Sequence, residues 1–294
     1  MLPLVLVGEI ERWFQAAKGI AGRVEATRLI GGGSINDACA FVFGGQEYFI
    51  KWNSAGRYPG MFAAEARGLG LLGGAGCIRL PEVLHTAEAG SHAYLLLERI
   101  PAGRTGEEFW ELFGQQLAAL HRNSSDSFGL DHDNYIGSLV QRNDPRDNWP
   151  EFFVQMRLEP QLKLARDAGL ADAGLAARFD KLFHRMHQLF PHEPPSLLHG
   201  DLWSGNYLCG AGGVPVLIDP AVYYGFREMD LAMSRLFGGF DRQFYQSYHN
   251  AFPFETGWEE RVGLCNLYPL MVHLNLFGSS YLGQVQYELK RFTG

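Results

Sequence analysis

Between residues 199 and 219 the chain carries two carboxylates and a carboxamide at spacings that suit the transfer of a phosphoryl group. The run His199-Gly200-Asp201-Leu202-Trp203-Ser204-Gly205-Asn206 sets an asparagine five residues after an aspartate, and Asp219 follows thirteen residues after Asn206. Phosphoryl transfer needs a carboxylate beside the attacking hydroxyl and oxygen ligands that hold Mg2+ against the phosphates of ATP. Asp201 suits the role of base, and Asn206 and Asp219 suit the metal. Each residue alone reads equally well as a turn former, but a second, distant set agrees with the first. Lys51 ends the run Tyr48-Phe49-Ile50-Lys51, and Glu65 lies on the helix that follows, where it can pair with the lysine as kinases require. Upstream, Gly31-Gly32-Gly33-Ser34 sits between two strand-like runs, as a loop covering phosphates would, or as a plain hairpin turn. It is not the P-loop of α/β nucleotide-binding proteins, because no Gly-Lys-Ser or Gly-Lys-Thr follows it.

These residues must be positioned by a fold of adequate size. A chain of 294 residues, 47% hydrophobic, can bury a large core and exceeds the usual size of one compact domain. Its net charge of −7 argues against a broad cationic surface for nucleic acid or anionic lipid, so phosphate chemistry has to be local. Cys39, Cys77, Cys209 and Cys265 are scattered and form no CxxC pair, which fits a reducing compartment. The apolar opening MLPLVLVG meets Glu9, Glu11 and Arg12 too early for a signal peptide or a span. We read it as the start of a helix, and the protein as cytoplasmic with no membrane partner.

Apolar spacing predicts that helix over residues 4–17, and short β-branched and aromatic runs predict strands at 24–30, 39–43, 47–52, 81–86 and 93–99. A helix over 61–72 is inserted among them, and Gly44-Gly45 marks a hairpin. Pro101-Ala102-Gly103 then breaks the pattern, so residues 98–104 are the expected boundary between a lobe over 1–100 and a second over 101–294. Thr105 and Glu108 read as a capping box for a helix to about Arg122, and 123–150 as one long loop. Further helices are expected over 151–168, 172–190, 227–237 and 257–290, the last broken near Pro269, with strand-like steps at 196–199 and 214–218.

The chain resembles the fructosamine kinase, or ketosamine kinase, family, a branch of the aminoglycoside phosphotransferase group within the protein-kinase-like fold. The matching residues run nearly from end to end: 31–36, Lys51, Phe62-Ala63-Ala64-Glu65-Ala66, Leu97-Glu98, Asp133-Asn134-Tyr135-Ile136-Gly137, Arg157-Leu158, 199–206, Asp219-Pro220-Ala221, Tyr224-Gly225 and 235–240. Trp203 and the run Arg235-Leu236-Phe237-Gly238-Gly239-Phe240 lie outside the wider kinase pattern and make the match specific. The resemblance implies an α+β, bilobal fold, with a small lobe of five antiparallel strands plus a helix and a large, mainly helical lobe.

The same resemblance implies ATP-dependent phosphorylation of a ketosamine on its sugar 3-hydroxyl, followed by breakdown that frees the amine. The substrate would be a small sugar-amine or a glycated lysine on protein. Lys51 would hold the α and β phosphates, and Leu97, Glu98 and Arg99 would form the hinge that meets adenine. Trp203 would lie against the sugar or its aglycone, or else brace the loop from the core. Tyr224, Asp133, Asn134 and Arg157 are further substrate-side candidates, each equally explained by a turn, a cap or a surface ion pair. His121 and Arg122 either brace the catalytic loop or end a helix with positive charge. Many members carry cysteine where this chain has Ser34, which supports redox-sensitive dimerisation; with Ser34 no disulfide switch is expected at this loop. A related kinase acting on an aminoglycoside or choline, and an inactive kinase-fold scaffold, are the rival readings, and the chain is expected to be a monomer or homodimer.

Overall fold

A computed structural model describes residues 1–31 and 35–294 of the chain. Gly32, Gly33 and Ser34 lie outside the described residues. Helix α1 (Leu4–Trp13) runs into a π-helical turn, Phe14–Lys18, that ends at Gly19 with φ 68°. Strands β1 (Glu25–Leu29), β2 (Asp37–Phe43) and β3 (Gln46–Ser54), helix α2 (Met61–Gly74), and strands β4 (Val83–Ala89) and β5 (His92–Glu98) follow. The strands form one antiparallel sheet in the order β1-β2-β3-β5-β4. Gly44 and Gly45, both at positive φ, turn β2 into β3.

The central strands β2, β3 and β5 are covered on both faces, β1 is exposed, and the period of two sorts the side chains. Tyr48, Ile50 and Trp52 of β3 join Leu6, Ile10 and Phe14 in one core, where Phe14 stacks on Phe43 at 4.2 Å. Phe49 and Lys51 point the other way, into a cleft. Along α2, Glu65, Leu69 and Leu72 recur at helical spacing on the inner side, the two leucines fully packed.

After β5 an irregular stretch leads to α3 (Phe109–His121). Its N-cap is Glu108, with no side-chain cap, so the expected capping box at Thr105 does not form. Entry is instead secured by Gly103, whose N–H donates to Cys209 O at 2.8 Å and where any Cβ would strike Gly210 O. The expected loop over 123–150 contains a hairpin, β6 (Asn134–Ile136) and β7 (Leu139–Gln141), too short to show a period. Helix α4 (Trp149–Phe152) passes through a π-helical turn, Phe153–Leu158, into α5 (Glu159–Asp167), and α6 (Ala173–Phe183) and α7 (Met186–Leu189) follow.

Two small antiparallel pairs carry the loops of interest. They join β8 (Ser196–Leu198) to β11 (Tyr223–Gly225) and β9 (Tyr207–Cys209) to β10 (Pro215–Leu217). Helices α8 (Glu228–Leu236), α9 (Arg242–Ala251), α10 (Trp258–Phe277) and α11 (Leu282–Thr293) complete the chain. Helix α10 does not break at Pro269; it continues to Gly278, at φ 91°. The buried Leu264, Leu267, Met271 and Leu274 around the proline outweigh its cost of about 3 kcal/mol. No helix among the described residues is long and apolar enough to cross a membrane.

Candidate active site

The loop after β8 is fixed by a buried carboxylate. Asp230, in the first turn of α8, accepts from His199 N at 2.7 Å and Gly200 N at 2.9 Å, and His121 Nε2 lies 3.2 Å away. Burial alone would raise the Asp230 carboxyl, but the hydrogen bond from His121 and these amides hold it below the usual carboxylate range. Gly200 sits at φ 84° with Ala221 O where a Cβ would have to go, so only glycine makes this turn. His199 Nε2 donates to Ile218 O at 2.9 Å, which leaves Nδ1 to accept from Asp201 N at 3.3 Å. Burial lowers the His199 pKa and keeps the ring neutral.

Asp201 thereby enters the cleft with its carboxylate aimed by Asn206, whose Nδ2 donates to Asp201 Oδ2 and to Asp201 O, both at 2.8 Å. Desolvation pushes the Asp201 carboxyl up to about 7, against the opposing pull of the Asn206 amide. That value suits a base working near neutrality. Since Asn206 spends its nitrogen on Asp201, its Oδ1 is left for a hard cation. Asp219 follows β10 at φ 53°, a strained setting for a residue with a side chain.

Across the cleft Lys51 Nζ lies 2.5 Å from Glu65 Oε1 and 2.6 Å from Asp219 Oδ1. Burial alone would lower the ammonium, but the two carboxylates hold it above its usual value and therefore charged. Asn206 Oδ1 and the half-exposed Asp219 carboxylate form a donor set that fits Mg2+, which binds through few protein oxygens and completes its shell with phosphate and water.

The cavity between these groups measures about 690 Å³. Ile30, Ala38, Phe49, Leu97, Leu208 and Ile218 give it an apolar slot beside Glu98, Arg99 and Ile100. The Glu98 side chain pairs with Arg79 and accepts from Glu82 N. Gly31 lines the cleft, whereas the expected roles of Gly32, Gly33 and Ser34 fall outside the described residues. Cys39 is buried in β2, where burial pushes its thiol up to about 11.

The substrate-side candidates divide. Trp203 lines the cleft, its ring folded over Gly205 so closely that a Cβ there would meet it at 2.3 Å. Asn134 also lines it, yet its amide is spent on Val222 O at 2.7 Å and on contacts with Gln141 and Asn143. Asp133 is exposed beside a smaller pocket and accepts from Asn143 N at 2.9 Å. Tyr224 is a strand residue paired with Leu197 and bonded to Gly129, away from the cleft lining. Arg157 requires correction: it is neither at the cleft nor in a surface ion pair. The π-helical turn carries it fully inside, donating to Arg142 O and, at 2.8 Å, to Asn143 Oδ1, with its guanidinium 4.0 Å from the Tyr223 ring. Sequence reasoning missed Asp230, whose one signal is an acid inside the apolar run 229–233, and the cleft wall from α8 and α10, including Met233, Tyr268 and His273.

Comparison with known proteins gives the chain a family and a fold. The model of the fructosamine kinase family matches residues 6–293. A probable ketoamine kinase of Synechocystis sp. is 42% identical over 270 residues, covering 92% of this chain and 90% of its own. The chloroplastic protein-ribulosamine 3-kinase of Arabidopsis thaliana is 38% identical over 278 residues, covering 92% of this chain and 83% of its own. A crystal structure from Haemophilus somnus, provisionally named a fructosamine-3-kinase, superposes with a TM-score of 0.90 at 28% identity, covering 99% of this chain and all of its own. A thermostable mutant of the aminoglycoside phosphotransferase APH(4)-Ia shares the fold alone, with a TM-score of 0.64 at 17% identity over 97% of this chain and 99% of its own.

Proposed function

The chain belongs to the fructosamine kinase family, and from that premise we propose that it transfers the γ-phosphoryl group of ATP to the 3-hydroxyl of a ketosamine. One observation carries the reading. Asp201, Asn206 and Asp219 converge on one cavity with the Lys51–Glu65 pair, whose ammonium reaches Asp219. In this reading residues 1–100 bind the nucleotide and 101–294 supply the catalytic groups and the substrate wall. Asp201 accepts the hydroxyl proton while the sugar oxygen bonds to the γ-phosphorus and the bond to the β–γ bridging oxygen breaks, releasing ADP. Asn206 and Asp219 would hold Mg2+, which when bound neutralises charge on the β and γ phosphates. Lys51, kept charged by Glu65, draws the α and β phosphates into line. The apolar slot beside Leu97, Glu98 and Arg99 takes adenine. The 3-phosphate formed is a good leaving group next to an enolisable aminoketone, so its elimination leaves an imine whose hydrolysis by water frees the amine, a repair of glycation.

The test is ATP turnover with Mg2+ on ribulose-lysine, fructose-lysine, choline and an aminoglycoside, in wild type and Asp201→Asn. Turnover of a ketosamine is expected, falling by about 10²- to 10⁴-fold in the variant. Turnover of choline or the aminoglycoside alone would keep the kinase and remove the repair role; no turnover at all would leave a scaffold.

A further inference from the structure

The wall that α10 gives to the cleft takes no part in the chemistry above, yet it presents two polar rings. Tyr268 donates its hydroxyl to Gln141 Oε1 at 2.7 Å and is thereby occupied. His273 is not. Its Nδ1 lies 2.7 Å from Pro269 O, and a carbonyl oxygen only accepts, so Nδ1 carries the proton and Nε2 is a bare acceptor. Among the described residues no protein donor meets that nitrogen. Desolvation lowers the His273 pKa, in keeping with a neutral ring.

The imidazole is set among aromatic rings: Phe237 at 4.7 Å, Tyr281 at 5.1 Å and Phe277 at 5.4 Å between centroids. Phe237 in turn meets the edge of Trp203 at 6.2 Å. Of these rings Trp203, His273 and Phe277 line the cleft, with Phe237 packed against both Trp203 and His273, and Phe277 is 48% exposed. Asp230 also lines the cleft, but both its oxygens are engaged by backbone amides. An unprotonated imidazole nitrogen framed by aromatic faces suits a cation that donates hydrogen bonds.

We infer that His273 accepts a hydrogen bond from the ammonium of the sugar-amine, and that the rings from Trp203 to Phe277 carry the amine's substituent out to solvent. His273 thereby selects amine-bearing ketoses over neutral ones. This rests on the kinase reading, and on a chemical fact of its substrate: the amine stands two carbons from the carbon that bears the reacting hydroxyl, so one cavity must hold both.

Two probes separate the outcomes: ribulose-lysine and its ether analogue, with oxygen in place of the amine nitrogen. His273→Phe keeps a ring and removes the acceptor; His273→Gln keeps an acceptor. The expected result is a fall of about 10- to 100-fold in kcat/KM on ribulose-lysine for His273→Phe, mostly in KM. The ether should change little, and His273→Gln should recover part of the loss. Equal losses on amine and ether would mark a packing role and overturn the inference, as would no loss in His273→Phe. A wild type that phosphorylates no ketosamine would instead remove the kinase reading itself.

Discussion

Asp201, Asn206, Asp219, Lys51 and Glu65 were readable as a set because their spacings encode chemistry directly, and the structure gathers them around one cavity. Asp230 was not, because its role lies entirely in space: it faces two amides about thirty residues upstream. Its depressed pKa makes it a testable support. An acid whose pKa is lower folded than unfolded stabilises the protein fully above the unfolded value of about 3.9 and loses that contribution as the pH falls toward the folded one. Asp230→Asn is therefore expected to cost about 3 kcal/mol at pH 7. Urea titrations should find the gap between wild type and variant shrinking below about pH 4; a gap that stayed constant would mean that the carboxylate's charge is irrelevant to the loop.

Elements were legible where a period or a capping residue announced them, as in β3, α2 and the five-stranded sheet. They were hidden where packing decides. Helix α10 runs through Pro269, and α9 was missed although Asp241 caps it by accepting from Gln243 N at 2.8 Å. Nothing local in Phe153–Leu158 announces a π-helical turn, and it is this turn that draws Arg157 away from the substrate. Held between the rings of Tyr223 and Phe152, the guanidinium serves the element rather than the reaction. Arg157→Lys should thus lower stability by about 3 kcal/mol, since a point charge cannot replace the planar fork, with KM unchanged at temperatures where the variant is folded. A raised KM with unaltered thermal unfolding would restore Arg157 to the substrate side.

At the scale of the molecule, the expected division near residue 100 coincides with the irregular stretch after β5, but the core does not respect it. Phe62, Leu69 and Leu72 of α2 share one cluster with Phe113, Leu117, Leu202 and Leu217, and Leu217 N donates to Arg79 O at 3.0 Å. This coupling is invisible in sequence because its partners are more than forty residues apart. It predicts that nucleotide stabilises the whole chain as one unit: ATP with Mg2+ at about 100 times its Kd should add about 2.7 kcal/mol and shift a single unfolding transition. Asp219→Ala should abolish the part of that shift that depends on Mg2+, whereas two separate transitions would show the halves unfolding independently. The β6–β7 hairpin completes the enclosure. A Cβ at Gly137, at φ 59°, would strike Leu276 of α10 at 2.7 Å and crowd Ile35 of the strand-rich half at 3.2 Å, and Tyr135 OH donates to Pro59 O at 3.0 Å. The hairpin is thus a latch as well as a wall. The same contacts tie the strand-rich half to the helical one at the rim of the cleft, so the halves meet through this hairpin as well as through the shared core.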